Sequence, residues 1–549
     1  MKVALSRVCR KMTNGGSPVL TLVALALSLF PAELDSQTAL KGLKTRPEQT
    51  GYVETSRYAD VMDFLKAVDA ASSSIRLTSM GYSYEGRTLP LAVVGNLRSA
   101  TPEAVLASGK VRVYVQGDIH AGEVEGKEAV LEILRDVAQG EHSFWFKSIV
   151  LLVCPIYNAD GNERVNLLNR GPQHGPLGGT GQRETAQNYD LNRDHMKLDS
   201  PEARSLVRFL TLYDPHICID LHTTNGTRHA YHLTYETPLH PNVSAGLIDL
   251  LRRELLPAVS KALKATEGWE TFYYGNAWGG RQGGERAWYT TEPTPRYSQN
   301  YFGFRNRLGI LCETYSYLTF EDRIRASRRF VEEVLDYVAA HAVQVKRATA
   351  DADSRSIVGT QMALTTKAVR APEPIEILMG ETGEERNPYS GARILRRLDV
   401  VRPERMAWFG TFEAGETVEA PRAYLVPSSL QRVVDRLAAH GIRTRSLGDS
   451  LTLGAERFRL DSTSVTTREY QGHKQRVLYG EWRPSEEVIP AGTLLVPLDQ
   501  PLGRLAFQLL EPRAEDCLAS WNLMDDALER GKGYPVLRLF GEIPEPATR

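Results

Sequence analysis

Between residues 58 and 345, apolar strand-like runs alternate with segments whose apolar residues recur at helical spacing. The runs predicted as strands are Leu89–Val94, Val111–Gln116, Ser148–Pro155, His216–Leu221 and Leu308–Cys312. The predicted helices are Tyr58–Ala71, Val124–Ala138, Pro201–Leu212, Pro241–Ala265 and Ile324–Val345. This alternation predicts an α/β fold with a mixed, mostly parallel central sheet and helices on both of its faces.

A chain of 549 residues is too long for one hydrophobic core, so we expect more than one domain. The alternating pattern predicts a catalytic domain over residues 45–345. The polar, Ala-rich stretch Lys346–Gly359 is interpreted as a linker. After it, short β-prone runs mix with short helical ones, which predicts a smaller accessory α+β domain over residues 360–549.

The first 36 residues differ from the rest of the chain. Basic residues precede a 13-residue apolar run, Pro18–Phe30, which is short for a membrane span and typical of a signal peptide. We expect an exported protein, periplasmic or secreted, with no stable membrane span after signal removal. An uncleaved anchor is the alternative. Lys and Arg (66) balance Asp and Glu (67), so bulk charge does not favour a nucleic-acid partner.

A histidine and a carboxylate, His120 and Glu123, follow the predicted strand Val111–Gln116 directly. Both are zinc ligand types, and a catalytic zinc site needs three protein ligands and an open position. The pair alone is weak evidence for a metal and favours a capped helix start, where Glu is stabilised by the helix dipole.

Two further residues stand at the ends of predicted strands. His222 ends the run that begins at His216, and Glu313 follows Leu308–Cys312. Open α/β sheets place their functional groups beyond the carboxyl ends of the strands. His222 is therefore the best third ligand, although His229 and His232 in the following loop are also possible. Glu313 is a candidate general base for a metal-bound water. Glu321 is a weaker competitor for that role.

The segment Asn188–Arg193 brings an acid, an amide and a guanidinium close together. Asn192 and Arg193 have the chemistry to clamp a carboxylate. Asp190 is suited to accept a hydrogen bond from the free ring nitrogen of a metal-bound histidine. As an isolated string, the segment favours a salt bridge in a solvated loop.

In this order, these pieces resemble the zinc carboxypeptidases of the carboxypeptidase A type (funnelins). The matching segments are Gly81–Arg87, His120 with Glu123, Asn158–Gly161, Asp190–Arg193, His222 and Glu313. The resemblance covers roughly residues 52–345. Two departures are Ala159, where the family has proline, and Gln173, where the family has an arginine three residues after an Asn-Arg pair, here Asn169-Arg170.

The resemblance implies one Zn²⁺ per chain, held by His120, Glu123 and His222, with Glu313 as the catalytic base. It implies that Asn192 and Arg193 bind the free C-terminal carboxylate of a peptide substrate. Arg170 is our choice for the oxyanion donor, with Arg183 as the alternative. Tyr301 is our choice for the mobile substrate-binding tyrosine of the family, and Tyr289 and Tyr297 compete with it.

Two other functions are compatible with the same residues. One is a zinc amidase that acts on cell-wall peptides or N-acyl amino acids, since cell-wall peptides also end in carboxylates. The other is a non-catalytic binding protein that keeps the fold, which the complete ligand set and Glu313 argue against.

Overall fold

The computed structural model describes residues 40, 42–279, 286–528 and 533–542, and the predicted signal peptide lies outside this part of the chain. Residues Lys44–Arg549 form one compact unit, and the predicted boundary between residues 345 and 360 falls inside it. Within the described residues, no helix has both the length and the apolar character needed to cross a membrane.

The first ten strands of the unit include the whole of the main sheet. They are β1 (Ile75–Tyr82), β2 (Thr88–Val94), β3 (Val111–Gln116), β4 (Ile149–Cys154), β5 (Ile217–Thr223), β6 (Leu233–Glu236), β7 (Thr271–Tyr273), β8 (Asn276–Gly279), β9 (Arg286–Tyr289) and β10 (Leu308–Thr314). The main sheet has eight strands in the order β1-β2-β4-β3-β5-β10-β6-β7. The four central strands β4, β3, β5 and β10 are parallel, and antiparallel pairs flank them. The predicted mixed α/β sheet is confirmed.

Helices cover this sheet. They are α1 (Arg46–Thr50), α2 (Tyr58–Ala71), α3 (Pro102–Ala107), α4 (Glu125–Ala138), α5 (Ala159–Glu163), α6 (Pro201–Tyr213), α7 (Ala245–Asp249), α8 (Leu256–Glu267), α9 (Ser298–Phe304), α10 (Phe320–Ala340) and α11 (Ala342–Ser354). Short 3₁₀ turns lie at Ser143–Lys147 and Leu191–Arg193, and a π-helical turn, Leu250–Leu255, joins α7 to α8.

The central parallel strands are buried along their whole length, because helices cover both faces. This burial explains the continuous apolar run of β4. Cys154, Cys218 and Cys312 lie on these strands as buried free thiols and pack as small hydrophobic residues. Because β4, β3, β5 and β10 run in the same direction, their carboxyl ends meet at one edge of the sheet.

The C-terminal region, residues 360–549, is rich in strands. They are β11 (Gln361–Ala363), β12 (Thr366–Val369), β13 (Ile375–Arg386), β14 (Arg393–Phe409), β15 (Thr411–Ala414), β16 (Thr417–Glu419), β17 (Ala423–Val426), β18 (Arg445–Ser446), β19 (Leu451–Val465), β20 (Arg476–Ile489), β21 (Leu494–Pro497) and β22 (Leu537–Leu539). Its helices are α12 (Gln431–Ala439) and α13 (Gly503–Leu510), with a 3₁₀ turn at Asp525–Ala527. One six-stranded sheet has the order β18-β21-β17-β22-β19-β20.

A second sheet, β13-β14-β9-β8, joins the C-terminal region to the chain before residue 345. Strand β14 pairs in parallel with β9, with Trp408 opposite Trp288. Trp288 is fully buried against Tyr231, Ile377 and Met406. The C-terminal region therefore packs directly on the elements that carry the predicted site.

Two sequence predictions differ from the structure. The stretch interpreted as a linker is mostly helix α11, which buries Val345, Thr349 and Ala352. Residues 346–354 include no glycine or proline, the residues that most disfavour a helix. The predicted long helix Pro241–Ala265 begins only at Ala245, and the π-helical turn interrupts it.

Candidate metal centre and cleft

The turn after β3 carries His120 and Glu123. Asp118 takes a left-handed backbone conformation with φ of 65°, and the Glu123 amide donates to the His120 carbonyl at 2.8 Å. This tight turn places both side chains on one side before helix α4 begins. Both are buried.

His120, Glu123 and His222 converge at the carboxyl edge of the sheet. His222 Nδ1 lies 3.1 Å from His120 Nδ1 and 2.9 Å from Glu123 Oε2, and His120 Nδ1 lies 3.1 Å from Glu123 Oε1. Their candidate ligand atoms all lie within 4.8 Å of one another. Two imidazole nitrogens and a carboxylate are a zinc donor set, so the chemistry of these residues fits that ion.

A carboxylate holds the outer nitrogen of each histidine. His120 Nε2 lies 3.1 Å from Asp190 Oδ1, and His222 Nε2 lies 2.8 Å from Asp220 Oδ2. Since an ionised carboxylate only accepts, Asp190 and Asp220 favour a proton on Nε2 of each ring, which would leave the Nδ1 lone pair for a metal. The sequence predicts this role for Asp190. It gives no such prediction for Asp220, although its position two residues before His222 on a strand puts it on the same face.

Glu313 stands beside this group on the neighbouring strand. It is aligned with His222 in the parallel pairing of β10 with β5. Its Oε2 is buried and has no hydrogen-bond partner among the described residues. Burial raises the pKa of the Glu313 carboxyl. Burial opposes ionisation of Glu123 too, but His120 and Arg170 bring its pKa well below the ordinary value.

Two arginines approach the group from the loop between α5 and the 3₁₀ turn at Leu191–Arg193. Arg170 Nη1 donates to Glu123 Oε1 at 2.9 Å, and its Nε lies 3.3 Å from Gln173 Oε1. Gln173, which occupies the position of the family's arginine, thus contacts Arg170. Arg183 is bound mainly to Asp190 Oδ2, through Nε at 3.1 Å and Nη2 at 2.8 Å. Arg170 thus has one hydrogen bond to a carboxylate, whereas Arg183 is held by two hydrogen bonds to Asp190.

Asn192 and Arg193 lie on the 3₁₀ turn that follows Asp190. Asn192 Oδ1 accepts from the Ser298 amide at 2.8 Å, which fixes the orientation of the side-chain amide. The Arg193 guanidinium lies 4.1 Å from the centroid of the Tyr297 ring, a cation–π distance, and its Nη1 donates to the Asn192 carbonyl at 2.7 Å.

A cavity of about 600 Å³ connects these groups. Its lining includes the three candidate ligands, Glu313, Arg170, Arg183, Asn192 and Arg193, and also Tyr274, Asn276, Tyr289, Tyr297, Leu311, Ala368 and Phe412. Ala368 and Phe412 belong to the C-terminal region and face each other across the β12–β15 strand pair. The volume lies within the range of cavities that bind small ligands.

Tyr301 does not line this cavity. Its ring is fully buried, and its hydroxyl lies 2.8 Å from His440 Nδ1 in the C-terminal region. A side chain held in this way is not available to a substrate, so the choice of Tyr301 from the sequence is corrected. The competing tyrosines Tyr289 and Tyr297 do line the cavity.

Comparison with known proteins agrees with this arrangement. Residues 61–301 match the family model described as zinc carboxypeptidase. Carboxypeptidase 2 of Trichophyton equinum is 24% identical over 475 residues, which are 83% of this chain and 81% of that protein. Carboxypeptidase 2 of Trichophyton rubrum is 23% identical over 522 residues, 91% and 89% of the two chains.

Solved structures similar to this chain include a metallo-carboxypeptidase from Burkholderia cenocepacia. It has a TM-score of 0.39 and 16% identity, and the match covers 52% of this chain and 70% of that one. The carboxypeptidase A from Helicoverpa armigera has a TM-score of 0.38 and 14% identity, over 55% and 76% of the two chains.

Proposed function

We propose that the chain, whose residues 61–301 match the zinc carboxypeptidase family model, is a zinc-dependent enzyme of that family that removes single residues from the C-termini of peptides. The observation that carries the proposal is the convergence of His120 Nδ1, Glu123 and His222 Nδ1 within 4.8 Å of one another. Carboxylates behind both rings support the same proposal, because metal-binding histidines usually have such partners.

His120, Glu123 and His222 hold the zinc ion in this proposal. When bound, zinc makes a water molecule acidic near neutral pH and polarises the carbonyl of the bond to be cleaved. Asp190 and Asp220 fix the tautomer and orientation of the two rings.

Glu313 acts as the general base. Its carboxylate takes a proton from the attacking water and passes it to the leaving nitrogen, so one residue serves both halves of the reaction. Two observations support this role. The side chain lines the same cavity as the ligands, and its Oε2 lacks a partner among the described residues.

Arg170 stabilises the negative charge that develops on the carbonyl oxygen. Preorganised donors of this kind supply a large share of the catalysis of acyl transfer. Arg193 binds the substrate's terminal carboxylate together with the amide group of Asn192. The cation–π contact with Tyr297 and the Asn192–Ser298 hydrogen bond support this role, since both preorganise the clamp.

We further propose that the protein is exported. Basic residues followed by the apolar run Pro18–Phe30 support a signal peptide over residues 1–36. Sequencing the N-terminus of the mature protein tests this part of the proposal, and a retained Met1 would contradict cleavage.

The enzymatic proposal is tested by measuring zinc content and peptidase activity in Glu313→Gln. We expect this variant to bind one zinc per chain and to lose turnover, because the amide cannot accept the proton. The matched control is Glu321→Gln, which changes the exposed glutamate in the first turn of α10 and should leave activity unchanged. Full activity in Glu313→Gln would exclude the assigned base.

A further inference from the structure

A turn of the C-terminal region, Tyr470–His473, lies against the segment that carries the proposed carboxylate clamp. Tyr470 and His473 exchange backbone hydrogen bonds of 2.8 and 3.1 Å. Gln471 and Gly472 between them take left-handed conformations, with φ of 53° and 78°. This tight turn projects from the loop between β19 and β20 and has a defined shape.

The turn contacts residues on both sides of the proposed clamp residues Asn192 and Arg193. Gln471 Oε1 accepts from the Asp190 amide at 2.7 Å, and His473 Nε2 lies 2.7 Å from Asp199 Oδ2. A Cβ at Gly472 would lie 3.0 Å from the Tyr189 ring, so glycine permits this close approach. These contacts link residues that are about half the chain apart in sequence.

The contact that concerns the substrate is between Tyr470 and Arg193. Arg193 Nε donates to the Tyr470 hydroxyl oxygen at 3.1 Å. The guanidinium also lies over the Tyr297 ring, and its Nη1 is bound to the Asn192 carbonyl. Among the described residues, Nη2 has no hydrogen-bond partner, so it is the donor left for a ligand in the cavity.

The Tyr470 ring is itself held in place. The Arg296 guanidinium lies 5.4 Å from its centroid, and Arg296 Nε donates to Asp516 Oδ2 at 2.9 Å. The Tyr470 ring also stacks on the Trp521 ring, with the two centroids 6.4 Å apart. Tyr470 is therefore a fixed acceptor behind a long and otherwise flexible arginine side chain.

We propose that Tyr470 is a positioning residue for the substrate's terminal carboxylate. It acts through Arg193: the hydroxyl fixes Nε, the Tyr297 ring fixes the plane, and the remaining edge of the guanidinium is presented to the cavity. Tyr470 is not part of the cavity lining, so in this proposal it acts without touching the substrate. The C-terminal region thereby contributes to carboxylate recognition. This inference rests on the proposed carboxypeptidase function.

The test is Tyr470→Phe in the full-length, zinc-loaded chain. Loss of one hydrogen bond to a charged group should raise KM for peptides with a free C-terminus about 5- to 20-fold and leave kcat within about twofold. The control is Tyr479→Phe on β20, whose hydroxyl contacts Ser464 on the surface. This control should keep the wild-type KM.

Two inhibitors separate positioning from a general structural role. Acetohydroxamate binds zinc without a carboxylate, and its Ki should not change in Tyr470→Phe. The Ki of a hydroxamate that also bears a terminal carboxylate should rise by the same factor as KM.

An unchanged KM and Ki for the carboxylate ligands, or equal weakening of both inhibitors, would overturn the proposal. Measurements on the wild-type chain show separately whether the proposed function itself fails. If it cleaves free and amidated peptides equally well, the carboxylate clamp itself is wrong, and the role of Tyr470 with it.

Discussion

Asp220 offers a direct test of how the metal ligands are held. Its Oδ2 lies 2.8 Å from His222 Nε2, and both side chains are buried. Asp220→Asn keeps the volume of the side chain and its carbonyl acceptor but removes the negative charge. The variant therefore changes a charge-assisted hydrogen bond into a neutral one without opening a cavity.

The expected magnitude follows from that change. A hydrogen bond to a charged group contributes about 1–2 kcal/mol more than a neutral one. If the whole of this free-energy difference acts on the form of His222 that binds zinc, zinc binding should weaken about 5- to 30-fold. This range overlaps the 10- to 100-fold losses that are typical when a carboxylate behind a metal-binding histidine is changed.

Competition with a chromophoric chelator measures the zinc Kd independently of activity. The matched control is Glu202→Gln, which neutralises another buried carboxylate that does not contact a ligand. The control should keep the wild-type Kd. A Kd for Asp220→Asn within twofold of wild type would refute the reasoning that this carboxylate sets the ligand state of His222.

Three further predictions follow from the structure. Arg170→Lys should lower kcat about 100-fold with little change in KM, because Arg170 serves the developing charge; a change confined to KM in steady-state kinetics would contradict this. Burial raises the pKa of Glu202 from 4.5 to about 7, so the folded state loses stability as pH rises through this window. Glu202→Gln removes this loss. The difference in unfolding free energy between the variant and the wild type should therefore shift in favour of the variant by up to about 3 kcal/mol between pH 4.5 and 7. A difference that does not depend on pH in urea titrations would argue against it. Arg397 Nη2 donates to the Ala230 carbonyl at 3.0 Å across the interface with the C-terminal region. Arg397→Ala should therefore cost about 1–3 kcal/mol in unfolding free energy, and a cost below about 0.3 kcal/mol would show that this contact contributes nothing.

The core of the candidate site could be predicted because of strand direction. His120, His222 and Glu313 each follow or end an apolar run that is long enough to be a buried strand. Parallel neighbours bring the carboxyl ends of such runs to one edge. Asp220 was within reach of the same reasoning, since it precedes His222 by one strand repeat.

The aromatic residues could not be assigned in the same way. Tyr297 and Tyr301 lie four residues apart in one polar, aromatic segment. Only helix α9, with its N-cap at Tyr297, decides that Tyr301 points into the core against His440. The role inferred for Tyr470 depends on a contact 277 residues away in sequence, and no local pattern indicates it.

The long hairpins of the C-terminal region could not be predicted from the sequence for a different reason. The β13–β14 and β19–β20 pairs extend into solvent, so most of their residues are exposed or half-buried. Their Glu and Arg residues interrupt the apolar alternation on which strand prediction depends. The buried strand β17, in contrast, is a continuous apolar run of the kind on which strand prediction depends.

The central claim is that a zinc centre and a carboxylate clamp act together on a peptide's C-terminus. The most direct measurement is mass spectrometry of two peptides of identical sequence, one with a free and one with an amidated C-terminus, after incubation with the zinc-loaded chain. The account predicts sequential loss of single C-terminal residues from the free peptide, no loss from the amidated one, and no reaction after zinc is removed by chelation. Internal cleavage, or equal cleavage of both peptides, would contradict it.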